Sequence, residues 1–280
     1  MTTRIVTDSN SQFPAELAAR YGVEVVPLQV SVDGEAFAEG TELTADDFYE
    51  RFAGGATPAV ATSQPSPGAF IEAYTRLAEQ GATEVLSIHV GSELSGTLNS
   101  ARLAAQSVEL DVRFVDTGTA SFGVSGCVWE AAEALLRGAS LDDAAHVAES
   151  IGPTVGNVFV VGALDLARSG GRMRIDADVD ANGGIPVLSL VEGGIEVVTT
   201  ASDVDACAEA MAGVARAWGT GLRAAVGTAD RGAADLADAL EASLAASDEI
   251  VEVVRYRIGP SVGAHTGPGT AGAFFWPATR

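Results

Sequence analysis

Two loops rich in hydroxyl side chains, and one histidine near the carboxyl end, carry the clearest chemistry in this sequence. Thr62 and Ser63 lie in the first loop, Ser95 and Thr97 in the second, and His265 in a glycine-rich tail. We expect both loops at the carboxyl ends of strands, where open α/β sheets bind ligands. The second loop opens a predicted helix, whose free backbone N–H groups favour an anion. These residues predict that neutral donors bind one small anion, such as a carboxylate. Ordinary helix capping stays open as an alternative, because Ser and Thr are preferred N-cap residues.

Residues 259–263 offer a different chemistry, because they have the spacing GxSxG with Ser261 at the centre and His265 close behind. This spacing is typical of serine hydrolases, in which the nucleophilic Ser lies on a strand–turn–helix elbow. The glycine- and proline-rich stretch after Ser261 is predicted not to form that helix. A serine hydrolase that uses Ser261 and His265 is therefore kept only as the alternative function.

The composition excludes several classes of function. The 280 residues include 16 basic and 38 acidic side chains, and the formal charge of −22 would repel the phosphate backbone of nucleic acid. The sequence contains no Lys, which excludes Schiff-base enzymes and nucleotide sites of the P-loop type. Only three His residues occur, and none has metal-ligand spacing, so we expect no metal site and no cofactor.

No segment has the pattern of a targeting signal or a membrane span. The amino-terminal residues lack a long apolar region, and no apolar run reaches the roughly 18 residues that a span requires. Cys127 and Cys207 lie far apart without CxxC spacing, which is typical of buried free thiols in a reducing compartment. We expect a cytoplasmic monomer without stable membrane insertion.

Short apolar runs alternate with amphipathic helical stretches through the first half of the chain, as in βαβ units. Predicted strands cover residues 4–7, 23–32 and 84–90, and the second of them is closed by an Asp33-Gly34 turn. The prolines within residues 62–68 are predicted to keep that loop irregular until a helix begins at about Ala69. We expect an α/β fold, with a doubly wound, mostly parallel sheet as the amino-terminal domain, residues 1–154.

The amino-acid composition changes near residue 151, where glycine becomes frequent. A second α/β domain is predicted for residues 155–280, with a helix capped by Ser202 and a strand over 222–228. The tail near residues 259–272 is rich in Gly and Pro and is predicted to return to the ligand site, and an apolar strand is predicted over residues 273–276.

Six motifs follow one another along the whole chain and together point to a known family. They are Ile5-Val6-Thr7-Asp8-Ser9, Val26-Pro27-Leu28 with Asp33-Gly34, Thr62-Ser63-Gln64-Pro65-Ser66-Pro67-Gly68, Leu94-Ser95-Gly96-Thr97 with Ser100-Ala101, Ser169-Gly170-Gly171-Arg172, and His265-Thr266-Gly267-Pro268-Gly269. With these motifs the chain resembles the DegV family of bacterial fatty-acid-binding proteins. Each motif is weak alone, whereas TSQPSPG, LSGT, GGR and HTGPG are specific when they occur together.

The resemblance implies two α/β domains that enclose one long-chain fatty acid, with its tail in an apolar tunnel between or beside the domains. By motif position, Thr62 and Ser95 would bond the carboxylate directly, and His265 would lie beside it. The same motifs imply further residues near the site, namely Ser63, Gly96, Thr97, Arg172 and Gly267.

The resemblance also implies a carrier rather than an enzyme. Family members studied as fatty acid kinase subunits present the carboxylate to a separate ATP-using kinase, which forms an acyl phosphate in lipid metabolism. The chain departs from the family at two places. Ile185 stands before Pro186 in place of a basic residue, and Thr199-Thr200-Ala201 stands where an Arg-Thr pair is common. We expect these departures to affect kinase docking more than the lipid pocket.

Overall fold

The structure is a computed structural model that describes residues 2–169, 183–191 and 194–279. Its strands are β1 (Thr3–Asp8), β2 (Val23–Val26), β3 (Gln29–Val32), β4 (Glu35–Ala38), β5 (Val60–Ser63), β6 (Glu84–His89), β7 (Asp111–Asp116), β8 (Gly156–Val160), β9 (Ile185–Val191), β10 (Gly194–Ala201), β11 (Leu222–Thr228), β12 (Ile250–Arg257) and β13 (Ala271–Pro277). Its α-helices are α1 (Ala15–Tyr21), α2 (Ala45–Glu50), α3 (Pro67–Glu79), α4 (Thr97–Ala105), α5 (Phe122–Leu136), α6 (Leu141–Ile151), α7 (Leu164–Ser169), α8 (Val204–Trp218), α9 (Ala234–Ala245) and α10 (Pro260–Thr266). The predicted α/β fold is confirmed.

The first sheet is parallel and has the strand order β2-β1-β6-β7. Alternate residues of its central strands face opposite layers of helices. Val6 and Val85 pack in the cluster that contains α3 and α4, whereas Ile5 and Leu86 pack in the cluster that contains α5 and α6. Because the strands are parallel, the loops after β1, β6 and β7 all emerge at one edge of the sheet.

The strand predicted for residues 23–32 is wrong in one respect, because the chain breaks at Pro27 and its two parts join different sheets. Strand β2 pairs with β1, whereas β3 belongs to a three-stranded antiparallel sheet of order β4-β3-β5. Pro27 has no N–H to donate to a ladder, so pairing ends there. The predicted Asp33-Gly34 turn is confirmed. Both residues have positive φ, as the tight hairpin turns favoured by this dipeptide require.

The irregular loop predicted for residues 62–68 is shorter than expected. Thr62 and Ser63 end strand β5, and helix α3 begins at Pro67. Ser66 caps this helix through its hydroxyl group, and a proline is tolerated in the first turn because its missing N–H would have no partner there. Thr62 is therefore held by a strand rather than by a flexible loop.

The second half of the described chain forms one mixed sheet of order β10-β9-β8-β13-β11-β12. Helices α8 and α9 cover one of its faces. Sequence reasoning missed strand β8. It also assigned the cap of α8 to Ser202, whereas the carboxylate of Asp203 accepts the N–H of Ala206 at 2.9 Å. The predicted boundary between residues 154 and 155 stays a prediction; it falls just before β8 begins.

Helix α5 packs against both halves of the chain, and nearly all of its side chains are buried. Its residues Phe122 and Trp129 contact Trp276 of β13, with ring centroids 5.9 Å and 6.1 Å from that indole. Gly126 permits this approach, because a Cβ there would lie 3.1 Å from the Trp276 ring. The parallel sheet and the mixed sheet therefore share one apolar core around α5.

The prediction that no helix follows Ser261 is wrong, because helix α10 covers Pro260–Thr266. The strand predicted over residues 273–276 is present as part of β13. Proline at the first helical position is preorganised for a helix, which favours the start of α10 at Pro260. Gly263 allows α10 to pack against α2, since a Cβ there would lie 2.5 Å from Oη of Tyr49. Helix α10 thus lies against elements of the first half of the chain, including β5 and β3.

Candidate ligand-binding site

A cavity of about 540 Å³ lies where the loops after β1, β6 and β7 meet helix α10 and one face of the mixed sheet. This volume is in the range typical of ligand pockets, about 300–1,000 Å³. The structure brings together at this cavity most of the site residues that the sequence predicts: Thr62, Ser63, Ser95, Gly96 and His265.

Thr62 and His265 contact each other directly at the cavity. Oγ1 of Thr62 lies 3.2 Å from Nε2 of His265. Thr62 is held in the pairing of β5 with β3, opposite Val30, and His265 lies in the last turn of α10. Either atom can donate in this contact, depending on the tautomer of the imidazole. A ligand oxygen at this point would meet a hydroxyl group and an imidazole together.

Ser95 lies in the turn that precedes helix α4. Its hydroxyl group lies 2.8 Å from the hydroxyl group of Thr97 and accepts the backbone N–H of Thr97 at 3.3 Å. Thr97 is fully buried and does not line the cavity. Its hydroxyl group contacts that of Ser95 and helps to hold it in place. Gly96 stands at the N-cap of α4 and has no side chain, and the hydroxyl group of Ser95 accepts the first N–H of the helix instead. The amino end of α4 therefore adds partial positive charge beside Ser95.

The wall formed by the mixed sheet is mainly apolar, with Phe159, Leu190 and Phe274 among its residues. Asn157 also lines this wall, but its side-chain amide is already paired with the backbone of Leu190, as donor at 3.0 Å and as acceptor at 2.7 Å. Gly272 leaves room here, because a Cβ at that position would lie 2.6 Å from Cβ of Phe159. This wall therefore offers a ligand apolar surface with few free hydrogen-bonding groups.

Sequence reasoning missed several polar residues that line the cavity. Gln64, Glu93 and Thr266 lie close to predicted site residues in the chain, and Asn10 follows the carboxyl end of β1, whereas the others come from distant segments. Burial raises the pKa of Tyr256, so its hydroxyl group stays neutral. The missed polar residues are Asn10, Gln64, Glu93, Thr119, Ser121, Asn157, Tyr256, Thr266 and Thr270.

Of the other predicted site residues, Gly267 does not line the cavity either. This glycine ends α10 with a φ of +75° and packs so closely on Ala163 that a Cβ would lie 2.4 Å from that side chain. Arg172 lies outside the described residues.

The geometry around Ser261 does not support the serine hydrolase alternative. The helix that was predicted to be missing after Ser261 is present as α10, so that reason against a hydrolase is wrong. The hydroxyl group of Ser261 accepts a hydrogen bond from Nε2 of Gln12 at 3.4 Å, whereas Nε2 of His265 faces Thr62. A serine nucleophile requires a hydrogen bond to its general base, and Nε2 of His265 does not supply one here.

A hydrogen-bonded series of Ser, His and Asp side chains lies in the core of the parallel sheet, but it is not accessible to solvent. Nε2 of His89 lies 2.7 Å from Oγ of Ser87, and Nδ1 of His89 lies 2.9 Å from Oδ2 of Asp8. All three side chains are fully buried, so Ser87 is closed to substrate. Asp8 also accepts the backbone N–H groups of Asn10 and Val90, each at 3.1 Å. Because Asn10 and Val90 line the cavity, this buried series fixes part of its wall.

Within residues 2–169, 183–191 and 194–279, no group of three or more His, Cys, Asp and Glu side chains is arranged to hold a metal ion. In the same part of the chain, no helix has both the length and the apolar character needed to cross a bilayer.

A family model described as "uncharacterised protein, DegV family" matches residues 2–278. The chain belongs to the DegV family. The resemblance drawn from its motifs is thereby confirmed. This DegV chain is 35% identical to a DegV domain-containing protein of Streptomyces coelicolor over 96% of each chain. It is also 41% identical to a DegV domain-containing protein of Deinococcus radiodurans, over 62% of its own length and 61% of the relative's.

Solved DegV structures share the fold over its whole length. A protein of Thermus thermophilus, described by its fatty acid binding, superposes with a TM-score of 0.87 and 34% identity, covering 99% of this chain and 100% of that one. A DegV lipid-binding protein of Thermotoga maritima gives a TM-score of 0.85 at 27% identity, with 100% of both chains covered. DegV of Bacillus subtilis, described as a fatty acid binding protein, gives 0.81 at 26% identity, with 99% of both covered.

Proposed function

We propose that this DegV protein binds one long-chain fatty acid in the cavity and acts as a carrier rather than as an enzyme. One observation carries the proposal: a cavity of about 540 Å³ combines an apolar wall on the mixed sheet with a cluster of neutral hydrogen-bonding groups. The fatty acid binding described for the Thermus thermophilus and Bacillus subtilis proteins of the same fold supports it.

The acyl tail would supply most of the affinity. Burying one methylene group contributes about 0.8 kcal/mol, so roughly 15 of them contribute on the order of 12 kcal/mol before association and ordering costs are subtracted. The side chains of Phe159, Leu190 and Phe274 on the cavity wall supply apolar surface for this burial.

The carboxylate would be held at Thr62, Ser95 and His265. An unpaired buried charge costs several kcal/mol, so the headgroup needs enough donors to replace water. Two hydroxyl groups, an imidazole and the amino end of α4 provide such donors. The chain contains no Lys whose positive charge could neutralise the carboxylate. Neutral donors would leave the carboxylate oxygen nucleophilic.

We propose further that the protein presents this carboxylate to a separate kinase. The carboxylate oxygen would attack the γ-phosphorus of ATP held by the kinase, forming an acyl phosphate and releasing ADP. The lack of Lys and of a phosphate-cradling motif supports a division of labour in which the partner binds the nucleotide.

The two departures from the family pattern lie side by side on one hairpin, away from the cavity lining. In the register of β9 and β10, Ile185 pairs with Ala201 and Pro186 pairs with Thr200. Thr199 and Thr200 are exposed. This placement favours an effect of the departures on partner docking rather than on lipid binding.

Mass spectrometry after denaturing extraction tests the proposal. We expect protein purified from a bacterial host to release about one fatty acid per chain, and delipidated protein to take up palmitate again. A delipidated preparation that takes up no long-chain acid would contradict lipid binding. A fluorophosphonate probe tests the alternative, because a hydrolase would be labelled and Ser261→Ala would abolish the labelling; we expect no labelling.

A further inference from the structure

Helix α10, which carries His265, begins without a side-chain cap of its own. Gly259 stands at its N-cap and Pro260 at its first position. Helix N-caps are normally Ser, Thr, Asp or Asn, whose side chains accept an N–H of the first turn. A side chain at Gly259 would have to displace two others, because a Cβ would lie 2.6 Å from Oε1 of Gln12 and 2.7 Å from Oε1 of Glu39.

Glu39 and Gln12 provide the missing caps. Oε1 of Glu39 accepts the backbone N–H of Ser261 at 2.8 Å, and Oε1 of Gln12 accepts the backbone N–H of Gly259. Nε2 of Gln12 also donates to the hydroxyl group of Ser261 at 3.4 Å. The first turn of α10 is thus tied to two side chains that lie 222 to 249 positions earlier in the sequence.

Both capping side chains are themselves held in place. The second oxygen of Glu39 accepts the hydroxyl group of Ser9, and that hydroxyl oxygen accepts the N–H of Leu28 at 2.9 Å. Nε2 of Gln12 donates to the carbonyl oxygen of Ser9, also at 2.9 Å. The backbone of Gln12 has a φ of +58°, a costly conformation for a residue other than glycine, which persists only where the surroundings enforce it.

We propose that Glu39 and Gln12 are positioning residues of the ligand site, because they fix helix α10 and thereby place His265 opposite Thr62. A helix of seven residues is too short to be stable alone, so its external hydrogen bonds decide where it lies. Ser261 and His265 are four positions apart, about one helical turn, so a shift of the capped first turn is passed to His265. This inference rests on the proposed binding of a fatty acid.

Two measurements on one set of variants test the inference. The first is the affinity of delipidated protein for palmitate by isothermal titration calorimetry. The second is the NMR spectrum of the His265 side-chain nitrogen atoms, which can be assigned readily because the chain has three His residues. Glu39→Leu removes the acceptor for the N–H of Ser261, and Gln12→Leu removes the acceptor for the N–H of Gly259 at the N-cap. Glu39→Gln keeps an amide oxygen for Ser261.

We expect Glu39→Leu and Gln12→Leu to weaken palmitate binding by about tenfold or more and to shift the His265 signals. Glu39→Gln should rescue binding to within about threefold of the original protein. Glu130→Gln is the matched control, because Glu130 is also a buried carboxylate but its partners lie on β11, on β13 and at Thr279. This control should lower the melting temperature without moving the His265 signals or the affinity.

A Glu39→Leu protein that loses stability as the control does, but keeps its affinity and its His265 signals, would overturn the inference. If Glu39→Leu does not fold, Gln12→Leu decides by the same two measurements. If the original protein binds no palmitate, the proposed function fails, while the His265 signals still decide whether Glu39 and Gln12 position α10.

Discussion

Oγ1 of Thr62 and Nε2 of His265 lie 3.2 Å apart, although 203 positions separate the two residues in the sequence. Thr62 belongs to the small antiparallel sheet, and His265 belongs to a helix inserted between two strands of the mixed sheet. The contact therefore exists only when both halves of the chain are packed together. A ligand that binds at this contact would therefore require the two halves to be packed together.

Removal of one hydroxyl group at a time tests the proposed headgroup contacts. Thr62→Val keeps the shape of the side chain, and we expect it to weaken fatty acid binding roughly tenfold to hundredfold. The reason is that a hydrogen bond to a charged group contributes about 1.5–3 kcal/mol. Ser95→Ala should weaken binding by a similar factor. Titration calorimetry of delipidated protein with palmitate measures both.

Thr41→Val and Ser107→Ala are the matched controls for these two changes, because both residues are exposed and lie outside the cavity lining. Their affinities should equal that of the original protein. Unchanged affinity in both Thr62→Val and Ser95→Ala would show that the carboxylate is held elsewhere.

The two free cysteines should be chemically inert in the folded protein. Both are buried, and burial raises the pKa of Cys127 to about 12 and that of Cys207 to about 11. The thiolate is the reactive form, so both groups stay protonated at neutral pH. We expect no reaction with Ellman's reagent in native buffer and reaction of both thiols in guanidinium chloride. Rapid native reaction would show that a thiol is accessible.

A buried carboxylate on α5 joins the two halves of the chain. Glu130 accepts hydrogen bonds from Arg223 at 2.6 Å, from Nε1 of Trp276 at 3.0 Å and from the N–H of Thr279 at 2.9 Å. Removing one partner of a buried ion pair costs about 3–5 kcal/mol. We expect Glu130→Ala to lower the free energy of unfolding by about that amount in urea titrations.

The exposed Glu72 on α3 provides the control for this loss. Glu72→Ala should change the free energy of unfolding by less than about 0.5 kcal/mol. An equal loss in both variants would show that the buried cluster is not the cause.

Local patterns predict the parallel sheet and its loops well, because each βαβ unit is built from neighbours in sequence. The alternation of apolar runs located β1 and β6, and the hydroxyl groups that follow β6 include Ser95. The break at Pro27 was missed, since an apolar run does not show which sheet each part joins. The cavity wall was missed for the same reason, because Phe159 and Phe274 become neighbours only when β8 pairs with β13.

Helix α10 shows most clearly what a sequence pattern leaves out. Glycine and proline within residues 259–269 argue against a helix on intrinsic propensity. The helix is nevertheless present, and Glu39 and Gln12, from distant segments, accept the N–H of Ser261 in its first turn and that of Gly259 at its N-cap. Tertiary hydrogen bonds therefore override local preference at the element that carries His265.

Glu39 should also link stability to pH. Burial raises the pKa of its carboxyl group above the ordinary value of 4.5, although hydrogen bonds from Ser9 and Ser261 act in the opposite direction. The folded protein therefore holds this proton more tightly than the unfolded chain does. The resulting stability is fully present below the ordinary pKa and is lost as the pH rises through the raised value.

Glu39→Gln removes this titration and keeps an acceptor for the N–H of Ser261. The free energy of unfolding of Glu39→Gln, relative to the original protein, should therefore rise as the pH increases from 4.5. Urea titrations at a series of pH values measure this difference. The exposed control Glu72→Gln should give a difference that hardly changes with pH. A flat difference for Glu39→Gln as well would show that folding does not raise the pKa of Glu39.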